Sequence, residues 1–263
     1  MRVIRGVFGA GSGSTSEGTQ AMDANLETME AMILAGGKGT RLQSAVGDRP
    51  KPMAEVAGRP FIEWLLPLLY DQGIRRVVLC IGHMGEQVEA HFGDGSRWGM
   101  ELRYSRDPYP LGTGGAVRYA LEQVRGDRFL VLNGDSYCRC DIHTLAETHR
   151  KNLAKATLWL VETDDCRRYG SVVLGENGAV RSFAEKRPDS RCGLINAGVY
   201  LIERSAAEMM PEGQAVSLEK DFFPGLVGNG LFGVSSQDPF IDIGTPDSYA
   251  AAGRFIAEEV KTW

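Results

Sequence analysis

Short apolar runs that alternate with helical segments predict an α/β fold of three layers, with a mixed, mostly parallel central sheet between helices. Two observations carry that expectation. Residues 32–35 (MILA), 76–81 (RVVLCI) and 129–132 (FLVL) are nearly unbroken apolar runs, the pattern of strands buried on both faces. The runs end in glycine or a polar motif, namely Gly36-Gly37, Gly82 and Asn133-Gly134-Asp135, and ligands of parallel sheets collect at such carboxyl ends.

The elements follow in order. Residues 1–30, rich in Gly, Ser, Thr and Glu, read as a flexible tail, an upstream extension or a start-site artefact. The folded domain is expected over 31–263. After the first strand, apolar spacing predicts a helix over 59–72 with Gly73 as its C-cap. A strand over 76–81, a helix over 86–92 and a strand over 102–105 come next. Leu111-Gly112-Thr113-Gly114-Gly115 opens a helix to Val124, and FLVL forms the following strand. Then come a helix over 141–152, strands over 157–161 and 171–174, a turn at Glu176-Asn177-Gly178, and a return strand over 180–184 that makes a hairpin. A strand over 196–202 leads into a helix to Met210. The last helix starts at Pro246, suited to a first helical turn, and runs to about Lys261.

Composition excludes several classes. The chain has 263 residues, 43% hydrophobic and 24% charged, with net charge −5. That is ordinary globular usage without the basic stripe of a nucleic-acid binder. No run reaches the roughly 18 apolar residues of a membrane span. Five cysteines without a C-x-x-C pair read as reduced thiols of a cytoplasmic protein. Cys138, Cys140 and His143 match no zinc spacing. Homo-oligomer formation is left open.

The stretch from Met32 to Pro52 carries the chemistry. The glycines Gly36, Gly37 and Gly39 let backbone N–H groups approach a phosphate closely. Arg41 offers a planar fork of donors, and Pro50 and Pro52 restrict the chain on both sides of Lys51. This is a polyphosphate site. A dinucleotide fingerprint fails because Leu42 stands where the third glycine belongs, and a Walker loop fails because Gly39 follows Lys38. Further on, Asp135 and Asp242 each stand at the end of an apolar run. Singly each could be a turn or N-cap residue; together they suit Mg²⁺, which takes oxygen ligands and substrate phosphates.

These motifs, Gly36-Gly37-Lys38-Gly39-Thr40-Arg41-Leu42 and Pro50-Lys51-Pro52, resemble the signature of the sugar-1-phosphate nucleotidylyltransferases. The resemblance covers about Ala31 to Trp263 and implies a Rossmann-like three-layer nucleotidyltransferase fold. It implies a nucleotide held by Leu34, Ala35, Gly36, Gly37, Gly39, Thr40, Gly82, Gly112 and Thr113. It implies sugar phosphate contacts from Tyr169, Gly170, Glu185, Lys186, Asn196 and Glu219, and magnesium on Asp135 and Asp242. The substrates implied are a nucleoside triphosphate and a sugar 1-phosphate, joined with loss of pyrophosphate. In that scheme Arg41 holds the leaving pyrophosphate, Lys51 the α-phosphate and Lys186 the attacking phosphate. Here Arg187 stands between Lys186 and the proline of the family's E-K-P segment.

Within the family, the motifs LGTGGA, NGDS, NAGVYL and FIDIGTP look most like the bacterial D-glycero-α-D-manno-heptose 1-phosphate guanylyltransferases, which use GTP to make GDP-heptose for surface polysaccharide. Mannose-1-phosphate guanylyltransferases and glucose-1-phosphate thymidylyl- or uridylyltransferases share the same core motifs. A catalytically silent nucleotide-sugar sensor on this fold would be expected to lack some of Arg41, Lys51, Asp135, Lys186 and Asp242; all five are present.

Overall fold

The computed structural model describes residues 28–37, 42, 47, 49–184 and 193–260. At its centre is β1 (Glu30–Leu34), paired in parallel with β4 (Arg76–Ile81) on one side and β6 (Arg128–Asn133) on the other. A fourth parallel strand, β5 (Glu101–Arg106), lies outside β4. Beyond β6 the direction changes. The long β11 (Gly193–Glu203) runs antiparallel to β6, to β8 (Ala156–Thr163) and to β9 (Ser171–Leu174). β10 (Val180–Ala184) returns on β9 as a hairpin, and β12 (Leu231–Ser236) pairs in parallel with β8. The nine strands form one mixed sheet. Two small ribbons stand apart from it: β2 (Glu55–Val56) with β3 (Arg59–Pro60), and β7 (Ser136–Cys138) with β13 (Phe240–Asp242).

Alternation along the buried strands builds the two helical layers. Ala31 and Ile33 of β1 face a cluster with α1 (Leu65–Asp71), α2 (Gly85–Phe92), α4 (Ile142–Lys151) and α7 (Pro246–Glu259). Met32, on the opposite face, joins α3 (Gly112–Ala120), α5 (Arg204–Ala207) and α6 (Phe223–Leu226). Both faces are dry, which is why MILA and FLVL read as unbroken apolar runs. No helix among the described residues is long and apolar enough to cross a membrane. Cys80, Cys138, Cys140 and Cys166 are free and buried.

Most expected elements form within a residue or two of their predicted limits. The helix expected over 59–72 differs. Ala57 and Gly58 adopt positive φ, so Arg59 and Pro60 pair back on Glu55 and Val56. A 3₁₀ turn (Phe61–Trp64) and then α1 follow, because Pro60 holds extended dihedrals that a helix cannot use. Gly73 ends the segment at φ +90°. α5 stops at Ala207, and the chain runs on to Met210 through tighter i→i−3 bonds. Glu30, assigned to the tail, is the first residue of β1. Residues 1–27 of the tail and the end of the last helix near Lys261 lie outside the described residues. α7 opens at Pro246 behind a Thr245–Ser248 capping box.

Candidate active site

The carboxyl ends of β1, β4, β5 and β6 open on a cleft of about 1370 Å³. Gly36 follows β1, Gly82 follows β4, Asp107 follows β5, and Asp135 stands two residues beyond β6. At Gly82 the need for glycine is steric: a Cβ would lie 2.9 Å from the Gly36 carbonyl oxygen. The two chain segments therefore touch at the floor of the cleft.

Lys51 and both aspartates meet in one wall. Lys51 reaches the Asp135 Oδ2 at 2.5 Å from the 3₁₀ turn Lys51–Met53, which begins behind Pro50. The Ser136 hydroxyl donates to Asp135 Oδ1 at 3.3 Å. Asp242 arrives through the β7–β13 ribbon, where it stands opposite Ser136, and the Ile243 N–H donates to the Asp135 carbonyl. Asp242 Oδ2 accepts the Gly244 N–H at 2.8 Å, while Oδ1 accepts Arg168 Nη2 at 2.9 Å and the Tyr169 hydroxyl at 2.7 Å. Burial, then the bond to Asp242, push the Tyr169 phenol up, so it remains a donor. Arg168 escaped the sequence reading; its place beside Tyr169-Gly170 was the available signal. Asp242 does not cap α7, a role taken by Thr245.

The next wall is built from hydrogen-bonded neighbours. The Asn196 N–H donates to the Gly170 carbonyl at 2.9 Å. Asn196 Oδ1 accepts the Gly198 N–H, and its Nδ2 donates to the hydroxyl of buried Tyr200 at 2.8 Å. Gly198, at φ +76°, sits in the register shift of β11 between Asn196 and Tyr200. Glu219 takes the Thr113 hydroxyl at 2.8 Å and the Ser217 hydroxyl at 2.9 Å. Ser217 also caps the π-helical stretch Leu218–Phe222. Gly112 is needed for packing: it holds φ +71°, and a Cβ there would meet the Val216 carbonyl oxygen at 2.5 Å. The Gly114 and Gly115 N–H groups donate to that same carbonyl.

Leu34, Gly36, Gly37, Lys51, Gly82, Gly112, Thr113, Asp135, Tyr169, Gly170, Asn196, Glu219 and Asp242 all line this one cleft. Ala35 is buried behind it, its N–H bonded to the Cys80 carbonyl. Gly39, Thr40, Arg41, Glu185 and Lys186 lie outside the described residues. The sequence reading also missed Asp107, although it ends a strand just as Asp135 does. Cys138 and Cys140 are buried thiols, pushed up first of all by that burial.

A mixed α/β sheet with glycine turns, a lysine and two carboxylates at its parallel edge defines a nucleotide-handling transferase, and the chain belongs to the nucleotidyl transferase family, which matches residues 30–259. Among its relatives is a mannose-1-phosphate guanylyltransferase of Mycobacterium tuberculosis, 38% identical over 84% of this chain; the chain spans 62% of that protein's length. A D-glycero-α-D-manno-heptose 1-phosphate guanylyltransferase of Aneurinibacillus thermoaerophilus is 36% identical, covering 86% of this chain and 97% of that one. The structure of HddC from Yersinia pseudotuberculosis complexed with GMP-PN superposes with TM-score 0.76 at 33% identity, covering 86% of this chain and 98% of that chain.

Proposed function

We propose that this protein transfers a nucleoside monophosphate from a nucleoside triphosphate, GTP, to a sugar 1-phosphate, D-glycero-α-D-manno-heptose 1-phosphate, releasing pyrophosphate. The supporting observation is that Lys51, Asp135 and Asp242, which are far apart in sequence, share one wall of one cleft. The two similar guanylyltransferases support the choice of base, and the second of them, matched over nearly its whole length, supports the choice of sugar.

The residues work by placement and charge. A phosphate oxygen is already nucleophilic, so the protein mainly aligns it with the α-phosphate and offsets the crowded negative charge. Lys51 donates to the α-phosphate, having exchanged Asp135 for it. Arg41 and Lys186, by family resemblance, hold the pyrophosphate and the sugar phosphate. Tyr169, Asn196 and Glu219 form the sugar wall. The donor set fits Mg²⁺: two carboxylates and a neighbouring hydroxyl, all hard oxygens, on two paired strand ends. Asp135 and Asp242 would hold it, and when bound it supplies positive charge to the phosphoryl oxygens. The catalytic unit spans residues 30–263, and its location is the cytoplasm.

A panel of nucleoside triphosphates against sugar 1-phosphates, read by pyrophosphate release with Mg²⁺, tests the proposal. Turnover with GTP and the heptose phosphate is expected. Faster turnover with mannose or glucose 1-phosphate would move the sugar, and nucleotide binding with no turnover on any pair would make the protein a sensor.

A further inference from the structure

The two carboxylates of the Lys51 wall differ in how full they are. The Asp135 side chain is 37% exposed, and among the described residues its Oδ1 accepts only the Ser136 hydroxyl, at 3.3 Å. The Asp242 side chain is 13% exposed and saturated. Its Oδ1 accepts Arg168 Nη2 at 2.9 Å and the Tyr169 hydroxyl at 2.7 Å, and its Oδ2 accepts Arg168 Nη2 at 3.1 Å and the Gly244 N–H at 2.8 Å. Those bonds use about all four lone pairs of a carboxylate. A Cβ on Gly244 would meet Asp242 Oδ2 at 2.4 Å and Lys51 Nζ at 3.7 Å, so Lys51, Asp135 and Asp242 crowd around one point. Asp135 is therefore open to a divalent ion from the cleft, whereas Asp242 can take one only if a donor leaves.

The donors differ in how readily they leave. The Gly244 N–H is backbone, two residues along the same turn. The Tyr169 ring packs edge-on against Phe240, with 5.4 Å between centroids. The Arg168 side chain is 40% exposed and lines the cleft, its guanidinium 5.3 Å from the Tyr169 ring centre. Among the described residues only its Nη2 is engaged, with Asp242 and, at 3.3 Å, the Ser248 hydroxyl; Nε and Nη1 remain for another acceptor. A guanidinium and a divalent ion also repel each other at a shared carboxylate, which makes Arg168 the group that yields. Its planar fork of donors then matches a phosphate. We infer that Arg168 is a positioning residue and a stand-in cation: it holds Asp242 in line, gives the carboxylate up to the divalent ion, and turns to the triphosphate that arrives with that ion. Ion and nucleotide are thereby admitted together, because an ion alone displaces a cation that has no phosphate to go to. The inference rests on the nucleotidyl-transfer reading and names the residue that ties ion binding to triphosphate binding.

Mn²⁺ binding, read as loss of the free-ion signal in electron paramagnetic resonance, tests it without turnover. Arg168→Met should bind Mn²⁺ about tenfold more tightly than the wild type, inside the usual range for two coupled ligands. Arg168→Gln, also uncharged, should gain likewise and serves if the first variant does not fold. Arg168→Lys, which keeps the cation, should stay near the wild type. The gain should vanish when Arg168→Met is combined with Asp242→Asn, as an effect that acts through that carboxylate requires. It should also close when a non-hydrolysable guanosine triphosphate analogue is present, since the guanidinium has then moved to the phosphates. A merely structural Arg168 would leave Asp242 misaligned when removed, so unchanged or weaker Mn²⁺ binding in the folded variants would overturn the inference. So would a gain that survives Asp242→Asn, a gain undiminished by the analogue, or no Mn²⁺ on any of these proteins. Pyrophosphate release is measured separately. Absent turnover with this Mn²⁺ pattern would fail the transfer reading alone; normal turnover with Mn²⁺ affinity indifferent to Arg168 would fail the inference alone.

Discussion

The two ends of β1 and its neighbours hold carboxylates in opposite ways. At the amino end Glu30 is 1% exposed and fully engaged. Its Oε1 accepts Arg76 Nε at 2.9 Å and Arg103 Nη2 at 2.6 Å, and its Oε2 accepts the Arg125 N–H. Arg76 also donates to the Thr28 carbonyl at 2.8 Å, so the network ties the start of the domain to the sheet. At the carboxyl end, 37% of the Asp135 side chain is exposed, and among the described residues a single lysine is its ion-pair partner. Asp107 has an oxygen with no hydrogen-bond partner among the described residues. A closed network fixes structure, because both carboxylate oxygens are committed. An open one leaves acceptors for a ligand, and the chain bears their desolvation until the ligand arrives.

Substitutions at five residues break or sharpen that contrast, in descending size. Glu30→Ala removes the buried carboxylate shared by two partly buried guanidinium groups and should lower stability by about 3 kcal/mol in chemical unfolding, with kcat of the folded protein unchanged. Burial would raise the Glu30 carboxyl, but the Arg125 N–H, Arg76 and Arg103 outweigh it and hold it below its ordinary value of 4.5. Its contribution is therefore present above that value and fades as pH falls through the lower folded one, so the gap between Glu30→Gln and wild type should narrow on acidification. Next, Lys51→Ala and Asp242→Ala should each cut turnover about a hundredfold or more with the circular dichroism unchanged; near-normal rates would remove them from the chemistry. Tyr169→Phe deletes one donor to Asp242 and should cost about tenfold at most in kcat/KM. The smallest effect is a gain. The Asp107 carboxyl is raised from 3.8 to about 6, so its cost is present above pH 6 and gone below its ordinary value. Ligand-free Asp107→Asn should be more stable by about 1 kcal/mol at pH 7, but not at pH 3.5, in thermal melts.

The sequence exposed the parallel half of the sheet well, because RVVLCI and FLVL have no polar face to confuse the period. It hid the β2–β3 ribbon, whose two-residue strands are set by the positive φ of Ala57 rather than by any run of β-formers. It also hid how the two aspartates meet. Asp135 and Asp242 read as separate strand ends, and a three-residue ladder between segments a hundred positions apart leaves no periodic trace. Arg168 and Asp107 act through neighbours that only the folded chain supplies. Gly112 was legible as glycine but not for its reason, since Val216 packs against it from a segment without regular spacing.

The late position of Asp242 has a consequence for how the protein is made. All four strands of the parallel half are complete by residue 133, so that half of the sheet can assemble while the remainder is still on the ribosome. The second carboxylate follows only with β13, and α7 behind it reaches back to the β2–β3 ribbon through Tyr249, whose hydroxyl donates to the Glu55 carbonyl at 2.8 Å. A nascent chain thus holds the parallel half of its sheet before it holds Asp242, and α7, whose Ala252 and Ile256 are fully buried, closes its core last.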